Sequence, residues 1–186
     1  VLHATGRRAN TEGLGLENTD IELRPNGTIV VDEFCQTAVE NVFAVGDVNG
    51  GLQFTYVSLD DFRVVNGYLH GNKEYTTADR KNVPYSTFIS PALSHVGLHK
   101  EEAEAAYPNV AVASLPVANM PRGAVNQDPR GLFRVTVDKD TNLILGATLF
   151  GKNSEEIINL IKMAIDNKIP YTYIRDQIFT HPTMAE

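Results

Sequence analysis

Residues 41–47 constrain the fold of this chain more than any other segment. Four apolar residues, 42–45, run without interruption and are stopped by Gly46 and Asp47. A short run without polar alternation is typical of a strand buried on both faces of a sheet. Ligands in open α/β sheets bind just beyond the carboxyl ends of such strands, so this end is a candidate site.

Two interpretations of the end of that segment stay open on the residues alone. In the first, Gly46 lets a ligand approach the backbone, and the Asp47 carboxylate accepts hydrogen bonds from a polyol or a ribose. In the second, Asp47 only caps the turn that leads into the next helix.

The charge balance excludes several classes of partner and site. The 186 residues include 16 basic and 23 acidic side chains, a net charge of −7, without a basic run. This argues against a surface for nucleic acid or for an anionic membrane.

The single cysteine, Cys35, excludes an internal disulfide and a multi-thiolate metal site, and the histidines lack metal-ligand spacing. No apolar segment approaches the roughly 20 residues that span a bilayer, so we expect a cytoplasmic protein.

Both ends of the chain have the character of interrupted elements. Residues 1–6 resemble the end of a strand that runs into a turn, and Glu186 follows directly on a proline-containing loop. We therefore expect a piece of a longer protein.

The first 82 residues predict few regular elements. Asn26-Gly27 is a strong turn signal and predicts a hairpin between residues 21–23 and 28–31. A helix is predicted over residues 55–69, and its apolar side is expected to hold Val57, Phe62, Val65 and Leu69. The polar, aperiodic residues 72–82 that follow predict a domain boundary.

The second half predicts an antiparallel α+β domain, because several strand-like segments stand among grouped helices. The strand-like segments are residues 86–89, 94–98, 110–117, 131–137 and 143–150. In residues 131–137, Phe133, Val135 and Val137 alternate onto one face. The helices are predicted at residues 100–107, 154–167 and 171–178. Ser154 is the expected cap of the second helix, whose apolar face holds Ile157, Ile158, Ile161, Ala164 and Ile165.

His181 is the sharper candidate for chemistry. It precedes Pro182 and has Glu186 five residues on, and a histidine oriented by a carboxylate is a usual general acid–base near neutral pH. The alternative is a surface histidine near the end of the chain. Cys35 fits a small packing residue better than a nucleophile.

Three motifs carry a family resemblance when they are taken together. They are Ala4-Thr5-Gly6-Arg7, then Thr37 with residues 42–47, then His181-Pro182-Thr183 with Glu186. Their order and spacing resemble the C-terminal part of the class I pyridine nucleotide–disulfide oxidoreductases. These flavoproteins include dihydrolipoamide dehydrogenase, glutathione reductase and mercuric reductase. Residues 50–56 and 175–182 look most similar to the bacterial reactive-chlorine-resistance flavoproteins.

The resemblance covers essentially the whole chain and implies three parts. Residues 1–7 would end the NAD(P)-binding domain, and residues 8–82 would be the C-terminal, α/β segment of the FAD-binding domain. Residues 83–186 would be an antiparallel-sheet α+β dimerisation domain, which implies a homodimer.

The resemblance also implies roles for particular residues. Asp47 would hydrogen-bond the ribityl chain of FAD, and Gln53, Phe54 and Thr55 would lie by the pyrimidine edge of the isoalloxazine. The implied cofactor-binding set is Thr5, Gly6, Gly46, Asp47, Gln53, Phe54 and Thr55. His181, oriented by Glu186, would protonate and deprotonate a redox thiol of the partner subunit.

The implied activity is that of an NAD(P)H:disulfide oxidoreductase, in which electrons pass from NAD(P)H to FAD and then to a disulfide. The family's Gly-rich FAD fingerprint, its Cys-x4-Cys pair and its NAD(P) fingerprint do not occur in these residues. The resemblance places them before Val1, and Cys35 does not belong to such a pair. We therefore expect the piece alone to be inactive.

Three alternatives remain open at this point. The piece could be a non-catalytic dimerisation module, or its parent could reduce a metal ion. The chain could also be an unrelated, stand-alone α+β ligand-binding protein.

Overall fold

Two compact units make up the chain, Val1–Arg80 and Lys81–Glu186. The computed structural model describes every residue from 1 to 186. None of the helices combines the length and the apolar character needed to cross a membrane.

The first unit has little regular secondary structure. Its one α-helix is α1 (Thr55–Leu69), and three short 3₁₀ helices stand beside it, at Leu16–Asn18, Gly46–Asn49 and Thr77–Asp79. The predicted hairpin is present as a turn with a single antiparallel bridge between Leu23 and Ile29.

Residues 42–45 do not form the strand that their composition predicts. Phe43 makes one isolated bridge with Gln36, and the Ala44 N–H donates to the Cys35 carbonyl at 2.9 Å. Val42 and Val45 are exposed, so the segment is not buried on both faces. A doubly buried strand needs a partner on each side, and within this chain the segment pairs only with residues 35–37.

Helix α1 buries Val57, as predicted, but the rest of its buried side differs from the predicted one. Val57, Asp61 and Val64 are its buried residues, whereas Phe62 is 57% exposed and Leu69 is 60% exposed. Positions 57, 61 and 64 lie on one side of a helix. The apolar pattern missed that side because its central residue is a carboxylate.

A five-stranded antiparallel sheet organises the second unit, as predicted. Its strands are β1 (Tyr85–Thr87), β2 (Leu93–Gly97), β3 (Val110–Pro116), β4 (Leu132–Asp138) and β5 (Ile144–Phe150). They lie in the order β1-β2-β5-β4-β3. The four pairings are all antiparallel.

Four α-helices accompany the sheet, and the sequence predicts three of them. They are α2 (Lys100–Ala106), α3 (Pro121–Val125), α4 (Ser154–Asp166) and α5 (Tyr171–Arg175). The short helix α3 is the one that the sequence analysis misses.

The core of the second unit lies between α4 and the sheet. Its buried members are Val96, Val117, Met120, Ala147, Leu149, Ile157, Ile158 and Met184. Phe133, Val135, Ile161 and Ile165 pack against this cluster. The predicted face of α4 therefore points into the core, and so does that of β4 at Phe133 and Val135, but Val137 lies beyond a register shift and is not part of the cluster.

The prediction that Ser154 caps α4 is wrong. Asn153 takes the N-cap position in the left-handed backbone region, at φ 64°, and Ser154 is the first helical residue. The fully buried Ser154 hydroxyl instead donates to the Ala92 carbonyl at 2.9 Å and lies 3.0 Å from the Ser94 hydroxyl. Its role is to tie the start of α4 to β2.

Candidate functional site

Gly46 opens the 3₁₀ turn Gly46–Asn49, where the backbone favours glycine. Its φ is 72°, and a Cβ built on it would lie 2.9 Å from Oγ of Ser58. A side chain would therefore be strained by the backbone and would contact α1.

The turn presents the carboxylate of Asp47 to solvent. Nη1 of Arg7 donates to Oδ2 of Asp47 at 2.6 Å, and the two side chains are 70% and 42% exposed. An exposed pair of this kind contributes at most about 1 kcal/mol, so the carboxylate can exchange this partner for a ligand. Thr5 and Gly6 lie in exposed, irregular chain just before Arg7, and the ion pair brings that segment to Asp47.

The N-terminus of α1 holds the other residues of the predicted cofactor set. Phe54 occupies the N-cap position with extended backbone and makes no side-chain capping bond, and α1 begins at Thr55. Gln53 and Thr55 are exposed, and the Phe54 ring stacks on that of Tyr56 at a centroid distance of 5.0 Å. A helix N-terminus without a side-chain cap carries partial positive charge and suits an electron-rich group.

Asp61 connects these elements, and the sequence analysis did not single it out. Its Oδ2 accepts a hydrogen bond from the Gly46 N–H at 2.6 Å and from Nδ2 of Asn49 at 3.0 Å. Its Oδ1 accepts from Nη2 of Arg80 at 2.5 Å. A signal was available in the sequence: an acidic residue between Val57 and Val64, on one side of a helix, needs buried partners.

Cys35 lies against the same buried carboxylate. Its side chain is fully buried, and burial, followed by the negative charge of Asp61, raises the pKa of the thiol to about 12. The thiolate is the nucleophilic form, so this cysteine is inert at neutral pH. The structure therefore supports the packing interpretation.

His181 and Glu186 meet in the second unit, as the sequence predicts. Nδ1 of His181 lies 2.7 Å from Oε2 of Glu186, and the imidazole is 66% exposed. The other oxygen of Glu186 accepts from the Thr183 N–H at 3.3 Å. The carboxylate therefore holds the ring and the loop backbone together.

The loop between these two residues is anchored to the core. Met184 is buried in the main cluster, and the Thr183 hydroxyl donates to the Thr180 carbonyl at 2.8 Å. His181 thus stands on a fixed loop with its ring in solvent. A ring held by one nitrogen leaves Nε2 available for proton transfer to a bound group.

No three His, Cys, Asp or Glu side chains of this chain are grouped to hold a metal ion.

Two models of known protein families match the chain. The dimerisation-domain model of the pyridine nucleotide-disulphide oxidoreductases matches residues 83–186, and a second model, pyridine nucleotide-disulphide oxidoreductase, matches residues 1–61. The chain belongs to this oxidoreductase family. The family uses FAD and NAD(P)H, as the motifs imply.

Individual members of the family are similar over the whole chain. The probable pyridine nucleotide-disulfide oxidoreductase RclA of Escherichia coli is 48% identical over 186 residues, which is 100% of this chain and 42% of the relative. Glutathione reductase of Burkholderia cepacia is 33% identical over 100% of this chain and 41% of its own length. The chain spans about two fifths of the length of these relatives.

Solved structures of the family agree in fold. The HOCl-induced flavoprotein disulfide reductase RclA from Escherichia coli matches with a TM-score of 0.95 and 48% identity, over 98% of this chain and 42% of that one. A Cu(II) complex of the same protein matches with a TM-score of 0.95 and 47% identity. The predicted family, and the similarity to reactive-chlorine flavoproteins, are confirmed.

The first unit fits the flavin that this oxidoreductase family uses. A half-exposed carboxylate at Asp47 can accept hydrogen bonds from a polyol chain, and Gly46 removes the side chain that would crowd it. The α1 N-terminus carries partial positive charge and can face an electron-rich ring edge.

Proposed function

We propose that this chain is the C-terminal part of an FAD-dependent NAD(P)H oxidoreductase that acts through a redox disulfide. It supplies part of the flavin site, the dimer interface and an acid–base pair. The observation that carries the proposal is the 2.7 Å contact between Nδ1 of His181 and Oε2 of Glu186, on a loop anchored by Met184.

The pair performs proton transfer at Nε2 of His181. Glu186 accepts the Nδ1–H bond and fixes the tautomer, so Nε2 takes a proton from a thiol and returns it later. Because the imidazole is exposed, a thiol of another polypeptide segment can reach it. The redox disulfide belongs to a part of the protein outside these residues. The substrate that accepts its electrons is a disulfide or a related group.

The first unit forms one wall of the flavin site. When bound, FAD would supply the transfer of an electron pair from NAD(P)H to the disulfide. Asp47 would hold its ribityl hydroxyls, while Gln53, Phe54 and Thr55 at the start of α1 would lie beside the ring. Thr5 and Gly6 lead into Arg7, which screens Asp47.

Three domain segments follow from this proposal. Residues 1–7 end the NAD(P)-binding domain, residues 8–82 belong to the FAD-binding domain, and residues 83–186 make the homodimer. The match of a dimerisation-domain model to residues 83–186 supports the last of these. Leu160 and Met163, which are 49% and 61% exposed on α4, are suited to contact a second copy.

The test uses the full-length flavoprotein and separates the two half-reactions. His181→Ala should slow reoxidation of the enzyme by its disulfide substrate about 100-fold or more, the usual contribution of a positioned acid–base. Reduction of the flavin by NAD(P)H should change little, since His181 does not act there. Anaerobic stopped-flow absorbance measures both steps.

His70→Ala is the matched control, because His70 is an exposed histidine whose Nδ1 lies 2.8 Å from a backbone carbonyl. It should leave both half-reactions unchanged. Equal losses in both half-reactions for His181→Ala would refute the acid–base role. Oxidation of NADH by the purified 186-residue chain would refute its role as a partial site.

A further inference from the structure

One buried carboxylate holds both ends of the turn that carries Asp47. Oδ2 of Asp61 accepts from the Gly46 N–H at 2.6 Å and from the Asn49 amide at 3.0 Å. These donors are the first and last residues of the 3₁₀ helix Gly46–Asn49, and Asp47 lies between them. The position of Asp61 therefore sets the position of the Asp47 backbone.

Arg80 supplies the countercharge to Asp61. Its Nη2 donates to Oδ1 of Asp61 at 2.5 Å, and its Nε donates to Oδ2 of Asp60 at 2.6 Å. The Asp61 side chain is 1% exposed and that of Arg80 is 14% exposed. A carboxylate this deeply buried depends on its partners, since removing one leaves an uncompensated charge.

Asp61 cannot contact a ligand in this arrangement. Three donors occupy its two oxygens, the Cys35 thiol lies against it, and almost none of its surface reaches solvent. An effect of Asp61 on a ligand is therefore indirect, and Gly46 and Asn49 are its partners in the turn that carries Asp47. This distinguishes it from Asp47, whose carboxylate is half exposed.

We propose that Asp61 is a positioning residue for the flavin, which places the Asp47 carboxylate through Gly46 and Asn49, and that Arg80 holds Asp61 in place. The inference rests on the proposed function, because it presupposes that Asp47 binds FAD. It adds residues that are remote from the cofactor but determine its affinity and geometry.

Asp60 provides a matched control for Asp61. It is the neighbouring residue on α1 and binds the same arginine, but its other partners are Tyr75 and Arg63, neither of which belongs to the turn. Asp60→Asn and Asp61→Asn each remove one of the two negative charges that lie beside Arg80. Only Asp61→Asn weakens the bonds to Gly46 and Asn49.

The experiment measures FAD affinity in the full-length protein after removal and re-addition of the cofactor, by flavin fluorescence. Asp61→Asn should raise the dissociation constant about tenfold, as expected for misplacing one charge-assisted hydrogen bond. Asp60→Asn should change it less than about twofold. The visible circular dichroism of the bound flavin should change in Asp61→Asn alone, because this signal reports the environment of the ring and not overall stability.

A double-mutant cycle tests whether Asp61 acts through Asp47. Asp47→Ala should weaken FAD binding, and adding Asp61→Asn to it should have little further effect. Additive losses would overturn the proposal and assign Asp61 a general structural role. Equal losses from Asp60→Asn and Asp61→Asn would overturn it as well.

Arg80→Lys is the second variant, for the case in which Asp61→Asn does not fold. It keeps the positive charge but removes the guanidinium group that binds Asp60 and Asp61 together. It should give a smaller loss of FAD affinity than Asp61→Asn, with the same change in the circular dichroism of the flavin. An unchanged flavin signal and affinity would overturn the proposal.

The outcomes also separate the positioning role of Asp61 from the proposed function. If Asp47→Ala weakens binding but the Asp61 and Arg80 variants do not, only the positioning role fails. If Asp47→Ala leaves FAD affinity unchanged, the flavin role of Asp47 fails and the positioning role fails with it.

Discussion

Nδ1 of His181 lies 2.7 Å from Oε2 of Glu186, across a loop of four residues. The second oxygen of the same carboxylate accepts from the Thr183 N–H at 3.3 Å. Glu186 therefore fixes both the tautomer of the ring and the backbone that carries it. An imidazole held in this way is preorganised for proton transfer at its other nitrogen.

We expect the charge of Glu186, and not only its shape, to contribute to the proposed proton transfer. Glu186→Gln keeps the size of the side chain and removes the charge, so the full-length enzyme should lose about tenfold in the thiol-dependent half-reaction. Reduction of the flavin by NAD(P)H should be unaffected. Stopped-flow absorbance of each half-reaction measures both rates.

Glu40→Gln is the control for that change, since Glu40 is an exposed acid in the other unit. It should leave both rates at the wild-type value. A wild-type rate of thiol turnover in Glu186→Gln would show that the carboxylate is dispensable.

Cys35 should be chemically silent in the folded chain. Burial and Asp61 raise the pKa of its thiol to about 12, so at pH 8 only about one thiol in ten thousand is ionised. Ellman's reagent should therefore leave the native chain unlabelled for hours and label one thiol in guanidinium chloride. Rapid stoichiometric labelling of the native chain would contradict the buried, protonated state.

The sheet of the second unit was predictable because its signals are local. Alternation in residues 131–137, the turn that follows it and the apolar face of α4 all lie within short windows. The same holds for His181 and Glu186, which are five residues apart and bonded. Elements of this kind are encoded by neighbours in sequence.

The first unit was less predictable because its structure depends on distant partners. Residues 42–45 have the composition of a strand, but strand formation is decided by pairing and not by composition. Arg7 meets Asp47 from 40 residues away, and Arg80 meets Asp61 from 19 residues away. The position of Asp61 between Val57 and Val64 indicates a buried carboxylate, but no local pattern identifies Arg80 as its partner.

The exposed apolar side of α4 should carry the dimer contact. Leu160 and Met163 are 49% and 61% exposed there, on a domain that matches the family's dimerisation model. Leu160→Asp should place a charge in the contact and shift the protein to monomers, since a buried unpaired charge is strongly unfavourable. Sedimentation velocity at micromolar concentration measures the change.

Lys139→Glu, an exposed substitution in the turn after β4, should leave the dimer intact. Wild-type protein that sediments as a monomer at high micromolar concentration would refute the dimer. A dimeric Leu160→Asp variant would place the contact elsewhere on the second unit.

His95 should make the stability of the chain fall as the pH drops below about 7. The ring is buried, with Nδ1 2.8 Å from the Thr148 hydroxyl and Nε2 3.0 Å from the Gly97 carbonyl, and it stacks on His99 at 3.8 Å. Burial lowers the pKa of His95 from its ordinary value, with the hydrogen bond to Gly97 and the charge of Glu102 opposing that effect and the charge of His99 adding to it.

The folded state therefore binds this proton less readily than the unfolded state does. Well above the ordinary pKa of about 6.5 both states are neutral at His95 and the group has no pH-dependent effect, whereas stability falls as the pH drops through that value toward the lowered pKa. Thermal unfolding of the 186-residue chain by circular dichroism should show Tm falling over this window. The fall should be smaller in His95→Gln and unchanged in His70→Gln, whose ring is exposed. An identical fall in His95→Gln and the wild type would assign the pH dependence to other groups.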